Sequence, residues 1–347
     1  MHNVRKQKYS AEQLAEKKQL EKGKINAYNG LSTQVNQFRR EGKHDKEALD
    51  LNTKLIKINP EFYTMWNYRR EILKTGILPN LEDKDDFLDG ELKFVQECLM
   101  RFPKTYWLWN HRKWCLETAA KPDWKKELAM VTYALAKDER NFHAWNYRRY
   151  VLAKYEETLP EAHRGAVKPK EFEFTEEKIN KNFSNFSAWH QRSKVIPELM
   201  EETRQGKCTD EKLVKRLSDP KTFFGSELDY VKNAIFMDPN DQSVWLYLRW
   251  LLTKPEIIYP DISTEYHIEV VESTIKEIAE LYEDEKDCRH CIYWIVFYTI
   301  MLYELKKQRI PEAVGRTLTK HIGDLKEKDA LRKGQYEDWE KVVVSAH

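Results

Sequence analysis

The chain has 347 residues, with 59 basic and 57 acidic side chains and a formal charge of +2, which argues against nucleic-acid binding driven by bulk charge and leaves only a local basic patch for it. Eleven glycines against 11 tryptophans and 18 tyrosines argue against glycine-rich phosphate loops and an all-β build. No apolar run approaches the ~18 residues of a bilayer span, so no transmembrane segment is expected.

In chain order, the opening MHNVRKQKYS has no hydrophobic stretch behind its basic residues and is not a secretory signal. An aromatic-basic cluster then appears as FYTMWNYRR at 62–70 and returns as TYWLWNHRK at 105–113, NFHAWNYRR at 141–149 and NFSAWHQRS at 185–193. A worn copy, QSVWLYLRW, occupies 242–250. The anchors are Trp66, Trp109, Trp145, Trp189 and Trp245, spaced by 43, 36, 44 and 56 residues. Seventeen residues upstream of each stand Leu49, Leu92, Leu128, Phe172 and Leu228, and ten upstream Ile56, Leu99, Leu135, Ile179 and Ile235. Apolar positions seven apart share one helix face. Pro60, Pro103 and Pro239, each six residues before its tryptophan, end a first helix and open a second. Each unit is therefore a helical hairpin. One hairpin cannot bury its own apolar face, so neighbours must stack.

The expected fold is all-α, a right-handed α-α superhelix of helical hairpins forming a single domain over 1–347. LPEAHRGAVKPK (159–170) and EETRQGKCTDEKLVKRLSDP (201–220) read as inserted loops between repeats. Residues 262–347 read as a degenerate helical cap, with Trp294 as a sixth, worn anchor. Glu91, Glu127, Glu171 and Glu227, eighteen residues before their tryptophans, are expected near helix N-termini, where the dipole favours an anion. Arg69, Arg112, Arg148 and Arg192, three residues past their tryptophans, recur too regularly for an active site and read as structural partners of carbonyls and of those glutamates.

The position five before each tryptophan varies: Glu61, Lys104, Arg140, Ser184 and Asn240. Lys104, followed by Tyr106, opens a second-layer helix, where free amides and the dipole would suit an anion; a solvated lysine is the ordinary alternative. His143 stands two residues before Trp145, where an interface histidine is the ordinary reading. Cys288-x-x-Cys291, with His290 between, has no second ligand pair at zinc spacing and runs into an apolar helix, so it reads as buried thiols. Together with Cys98, Cys115 and Cys208 these are free cysteines of a reducing, cytoplasmic setting. No Ser-His-Asp arrangement, HExxH or Walker loop occurs, so the chain is unconvincing as a free-standing enzyme.

The clusters of the form x-Y/F-x-x-W-N-x-R-R resemble the repeat of protein prenyltransferase alpha subunits, and five copies cover roughly 45–255. Within that family MHNVRK, ERNFHAWNYRRY (139–150) and FTEEKINKNFSNFSAWHQRSK (174–194) look most like the alpha subunits of type II, or Rab, geranylgeranyltransferases in their short, fungal-type form. The alpha subunit shared by farnesyltransferase and the type I enzyme usually carries a proline-rich extension, and glutamine where Trp107 stands here.

The resemblance implies a heterodimer, inactive as the single chain. Its beta subunit would hold the catalytic zinc and the isoprenoid cavity, and a substrate thiolate would attack geranylgeranyl diphosphate to give a thioether. It implies Rab GTPases as substrates, presented by a Rab escort protein, with a role in vesicle trafficking. A magnesium requirement does not follow. By position in their repeats, Lys104 matches a lysine near the diphosphate, Tyr106 a tyrosine lining the site, and His143 a histidine close to substrate or product. His2 resembles an N-terminal histidine able to contact that zinc in a regulatory way, the alternative being a disordered terminus. The competing expectations are the alpha subunit shared by farnesyltransferase and the type I enzyme, and a non-catalytic helical scaffold.

Overall fold

The computed structural model describes residues 10–345, so His2 lies outside the described residues. Among the described residues there is no strand, and no helix is long and apolar enough to cross a membrane. Two compact units emerge, one taking the chain up to Tyr133 with Asn146–Val151, the other Ala134–Trp145 and the chain from Leu152 on.

In the first unit, α1 (Ala11–Arg40) opens on a reciprocal capping box between Ser10 and Gln13. The hairpins α2 (Lys46–Ile58) with α3 (Tyr63–Ile72), and α4 (Lys84–Arg101) with α5 (Tyr106–Thr118), follow. The next pair, α6 (Trp124–Lys137) with α7 (Phe142–Thr158), is divided between the two units. In the second unit come α8 (Glu161–Arg164), α9 (Val167–Lys181), α10 (Phe186–Arg204), α11 (Glu211–Leu217), α12 (Pro220–Met237) and α13 (Gln242–Thr253). It closes with α14 (Thr264–Asp284), α15 (Arg289–Lys306), α16 (Glu312–Lys328) and α17 (Lys333–Ser345).

Six hairpin turns share one geometry. Four residues separate the paired helices in each, from 59–62 to 285–288, and the N–H of the fourth donates to the carbonyl of the first at 2.9–3.3 Å. The second residue of the turn supplies the hook for the anchor. Trp66, Trp109, Trp145, Trp189 and Trp245 donate their indole N–H to the carbonyls of Pro60, Pro103, Glu139, Phe183 and Pro239, at 2.8–3.0 Å. All five rings are at most 5% exposed. Each tryptophan thus fills the space between helix layers and pins its own turn, burying a large ring without stranding its donor.

The glutamates are not dipole partners in general. Glu91 and Glu227 lie well inside α4 and α12, and Glu171 sits in the second turn of α9, with Glu127 alone in a first turn. For Glu91, Glu127 and Glu227 the partners are a repeat arginine and the residue two past the anchor. Glu91 receives a fork from Arg69, with one arm at 2.8 Å, and His111 Nε2 lies 2.8 Å away. Glu127 receives Arg112 and the Tyr147 hydroxyl, the latter at 2.6 Å. In the second unit Glu227 receives Arg192 at 2.6 and 2.8 Å and Tyr247 at 2.8 Å, while Gln191 donates to Glu171 at 3.0 Å.

Arginine from one hairpin and a donor from the next therefore meet on one buried carboxylate, because a buried charge is tolerable only when paired and fully hydrogen-bonded. Burial pushes the Glu91 carboxyl up, but the Arg69 guanidinium and then His111 outweigh it and hold it at about 2. Glu227 is likewise lowered by Arg192 against its burial, and burial lowers His111.

The last hairpin corrects the expected sixth anchor. Counting from the shared turn, Ile292 occupies the anchor place and Trp294 the place of Tyr247. The ring contacts agree: Trp66 meets His111 at 4.9 Å, Trp109 meets Tyr147 at 5.1 Å, Trp189 meets Tyr247 at 4.7 Å, and Trp245 meets Trp294 at 6.2 Å. Beyond it, Ile292, Val296, Leu318, Ile322, Leu325 and Tyr336 form the apolar cluster that joins α15 to α16 and α17.

The stretches 159–170 and 201–220 are also more ordered than loops. Asp210 caps α11 at Leu213 N, and Leu213 and Leu217 are buried. Lys168 bonds Glu156 at 2.9 Å and Glu202 at 2.6 Å. Thr209 N donates to the Gly165 carbonyl at 3.3 Å, and Gly165 lies so close to the Lys207 backbone that a Cβ would not fit.

Candidate functional site

Lys104 is the third residue of the turn between α4 and α5, and its side chain is exposed. Tyr106 is the first residue of α5 and 56% exposed. Between them Thr105 is buried at the N-cap and makes no side-chain cap bond. Trp107, half-buried, packs against Tyr63 with ring centroids 5.4 Å apart.

Comparison of five turns isolates this one. In the others the first turn residue is Asn59, Asp138, Asn182 or Asp238, whose Oδ1 accepts the N–H of the third residue at 3.1–3.2 Å. In the Lys104 turn that place is Phe102, which offers no acceptor; Arg101 precedes it, its guanidinium 5.4 Å from the Phe102 ring. The turn presents two cations and no carboxylate, so it is the electropositive member of the set. An anion placed here would meet Lys104 and the positive end of α5. Sequence reasoning singled out Lys104 but missed Arg101 and Phe102. The signal was available at the position seven before each tryptophan, which reads Asn, Phe, Asp, Asn, Asp.

His143 belongs to the other unit and sits in the first turn of α7, 6% exposed. Its backbone N–H donates to Asn141 Oδ1 at 3.0 Å, and its ring lies 4.0 Å from the Phe142 ring. By register it holds the place that Trp107 holds in its own repeat. Lys104 and Tyr106 thus share one turn, while His143 occupies the corresponding helix start of the next repeat. The recurring aromatic of the cluster has an exposure that the sequence did not show. Tyr63 and Tyr106 in the first unit, and Phe142 and Phe186 in the second, each open a second-layer helix three residues before the anchor, and all are 47–56% exposed. Repeated exposure of a large ring at one register position is the mark of a surface that expects a partner.

The protein prenyltransferase alpha subunit repeat matches this chain at 45–76, 88–119, 124–155, 169–199 and 224–255. The geranylgeranyl transferase type-2 subunit alpha of Schizosaccharomyces pombe is 38% identical over 343 residues, spanning 97% of this chain and 96% of that protein. The chain belongs to the protein prenyltransferase alpha-subunit family. The Saccharomyces cerevisiae type-2 alpha subunit is 33% identical, over 97% of this chain and 98% of its own length. The rat type-2 alpha subunit is 40% identical over 264 residues, which are 74% of this chain and 42% of the rat protein. Among solved structures, Candida albicans protein geranylgeranyltransferase-I complexed with GGPP contains a chain of the same fold, with a TM-score of 0.60 at 20% identity, covering 92% of this chain and 91% of that one. Five matched repeats end at residue 255, so the α14–α15 hairpin, whose anchor is an isoleucine, falls outside the repeat pattern.

Proposed function

We propose that this chain is the alpha subunit of a heterodimeric geranylgeranyltransferase of type II, which moves geranylgeranyl from its diphosphate to C-terminal cysteines of Rab GTPases as thioethers. The observation that carries this reading is similarity to fungal type-2 alpha subunits over nearly the whole of both chains. The exposed aromatic at the head of four second-layer helices supports a beta-subunit partner that covers those rings, and a chain inactive without it. In this reading Lys104, aided by Arg101, faces the leaving diphosphate. Negative charge grows there as the carbon–oxygen bond breaks, so a fixed cation lowers the barrier. Tyr106 lines the same site, and His143 stands near substrate or product.

Among the described residues no group of three or more His, Cys, Asp or Glu side chains could hold a metal ion. In this reading the beta subunit carries the zinc of the reaction. A Rab escort protein as docking partner, a cytoplasmic location and the single-domain behaviour of the two units complete the proposal.

The test is co-expression with a type-2 beta subunit, followed by transfer of labelled geranylgeranyl to Rab plus escort protein. A stable heterodimer that modifies Rab and ignores short peptides supports the reading. Activity on short peptides instead would assign the chain to farnesyltransferase and the type I enzyme. A well-behaved monomer with no partner would sink the enzyme-subunit reading. Lys104→Ala should leave assembly intact and lower turnover by roughly 10²–10³; unchanged turnover would remove Lys104 from the site.

A further inference from the structure

Cys288 and Cys291 open α15 as its N-cap and third helical residue, and both are reduced and buried. The N-cap and the third helical residue lie on one face of the helix start. One turn of helix also brings residues three apart to the ~4.4–6.8 Å Cα separation that a disulfide spans. No metal accounts for the pair, since no third or fourth ligand stands near it among the described residues.

The place of Cys288 in the repeat gives the thiol a structural task. In the fourth repeat the N-cap Asn185 donates through Nδ2 to the Glu139 carbonyl at 3.2 Å, the same carbonyl that hooks Trp145. At the last hairpin Cys288 Sγ donates to the Pro239 carbonyl at 3.3 Å, the one that hooks Trp245. A thiol therefore does at this turn what an amide does at the earlier one: it stitches the turn to its predecessor. A thiol can make that stitch only while it carries its hydrogen.

We propose that Cys288 and Cys291 form a reversible disulfide under peroxide, a redox switch that releases the α14–α15 turn from the α12–α13 turn. The Cys288 thiolate attacks one peroxide oxygen, the O–O bond breaks, and the departing hydroxide takes a proton to become water. The Cys291 sulfur then attacks the resulting sulfenic sulfur. Its thiol proton and the displaced hydroxide leave as a second water, so two thiols and one peroxide give one disulfide and two waters. A small oxidant suits the burial, because the flanking Asp287 and Arg289 are exposed while the sulfurs are not. The neighbouring Cys291 thiol, acting first and against burial, and then the amides of Cys291 and His290 lower the Cys288 thiol below the ordinary range of a cysteine. Burial pushes Cys98 and Cys115 up, making them poorer nucleophiles.

The full-length chain, freed of reductant, is treated with hydrogen peroxide, alkylated and read by peptide mass spectrometry. The peptide carrying both residues should lose two hydrogens and both alkylation tags before Cys98 or Cys115 reacts, and dithiothreitol should restore the tags. Cys291→Ser should strand Cys288 as a sulfenic acid that dimedone captures, a readout that does not depend on forming the bond. Both residues staying alkylatable after Cys208 has oxidised would overturn the proposal. In the oxidised chain, amide exchange should speed roughly tenfold in 238–245 and 285–294; unchanged exchange would overturn the switch.

Discussion

The fifth repeat and the hairpin after it are neighbours built to one turn geometry, yet they are held by different forces. At the α12–α13 hairpin, Trp245 is hooked to Pro239, and Glu227 gathers Arg192 and Tyr247 in a site closed to water. At the α14–α15 hairpin the corresponding places hold Ile292, Thr274 and Trp294. Thr274 turns its hydroxyl back on the Val270 carbonyl, and the carbonyl freed of its indole, that of Lys286, is taken by Lys328. Trp294 Nε1 and the Tyr298 hydroxyl are buried with no partner. The arginine that would have reached forward is Leu248, so cation and carboxylate are lost together and no charge is stranded. Polar locks set the register inside the array, and apolar packing ends it.

Removing one partner of a lock should produce the largest effect. Glu227→Ala leaves the Arg192 guanidinium, 1% exposed, without its carboxylate, and should cost about 3–5 kcal/mol in denaturant unfolding. Thr274→Ala at the matching place should cost ~1 kcal/mol or less. Equal losses would erase the distinction.

Acid should separate the two regions next. Glu91 is held near 2 while free carboxylates titrate near ~4.3, so its contribution is complete above that range and drains away as pH falls toward 2. Unfolding at descending pH should show the wild type losing more stability than Glu91→Gln. Parallel losses would mean that the lock is not what acid breaks.

The smallest contrast concerns the indoles. Trp245→Phe surrenders a bond to Pro239 and should cost roughly 1–2 kcal/mol beyond the smaller ring. Trp294→Phe surrenders no bond and should be milder, with thermal midpoints reading the difference.

Much of this was legible in sequence. Tryptophan, the apolar pair seven apart and the turn proline fixed the hairpins, because large buried rings and helical periodicity leave few alternatives. The arginine-glutamate pairing was also readable from its recurrence. The glutamates' position was misjudged, because α4 starts well before its pattern does, at Lys84. Trp294 misled because its residue type outweighed its register, which only the turn reveals. The segments 159–170 and 201–220 looked like loops because their order comes from Lys168 and two glutamates distant in sequence. At the candidate site Lys104 was visible, whereas the Phe102 that stands where the other turns carry Asn or Asp emerged only when five turns were compared.

The common turn also decides where this chain can tolerate change in length. Tryptophan spacings run from 36 to 56 residues, yet each turn keeps its four. One residue added between hairpins lengthens a connection and moves no lock. One residue added within a turn swings the following helix by ~100°, carrying its tryptophan off its carbonyl and its arginine off its carboxylate. Indels in such an array should therefore collect between hairpins, and the turn is its least forgiving segment.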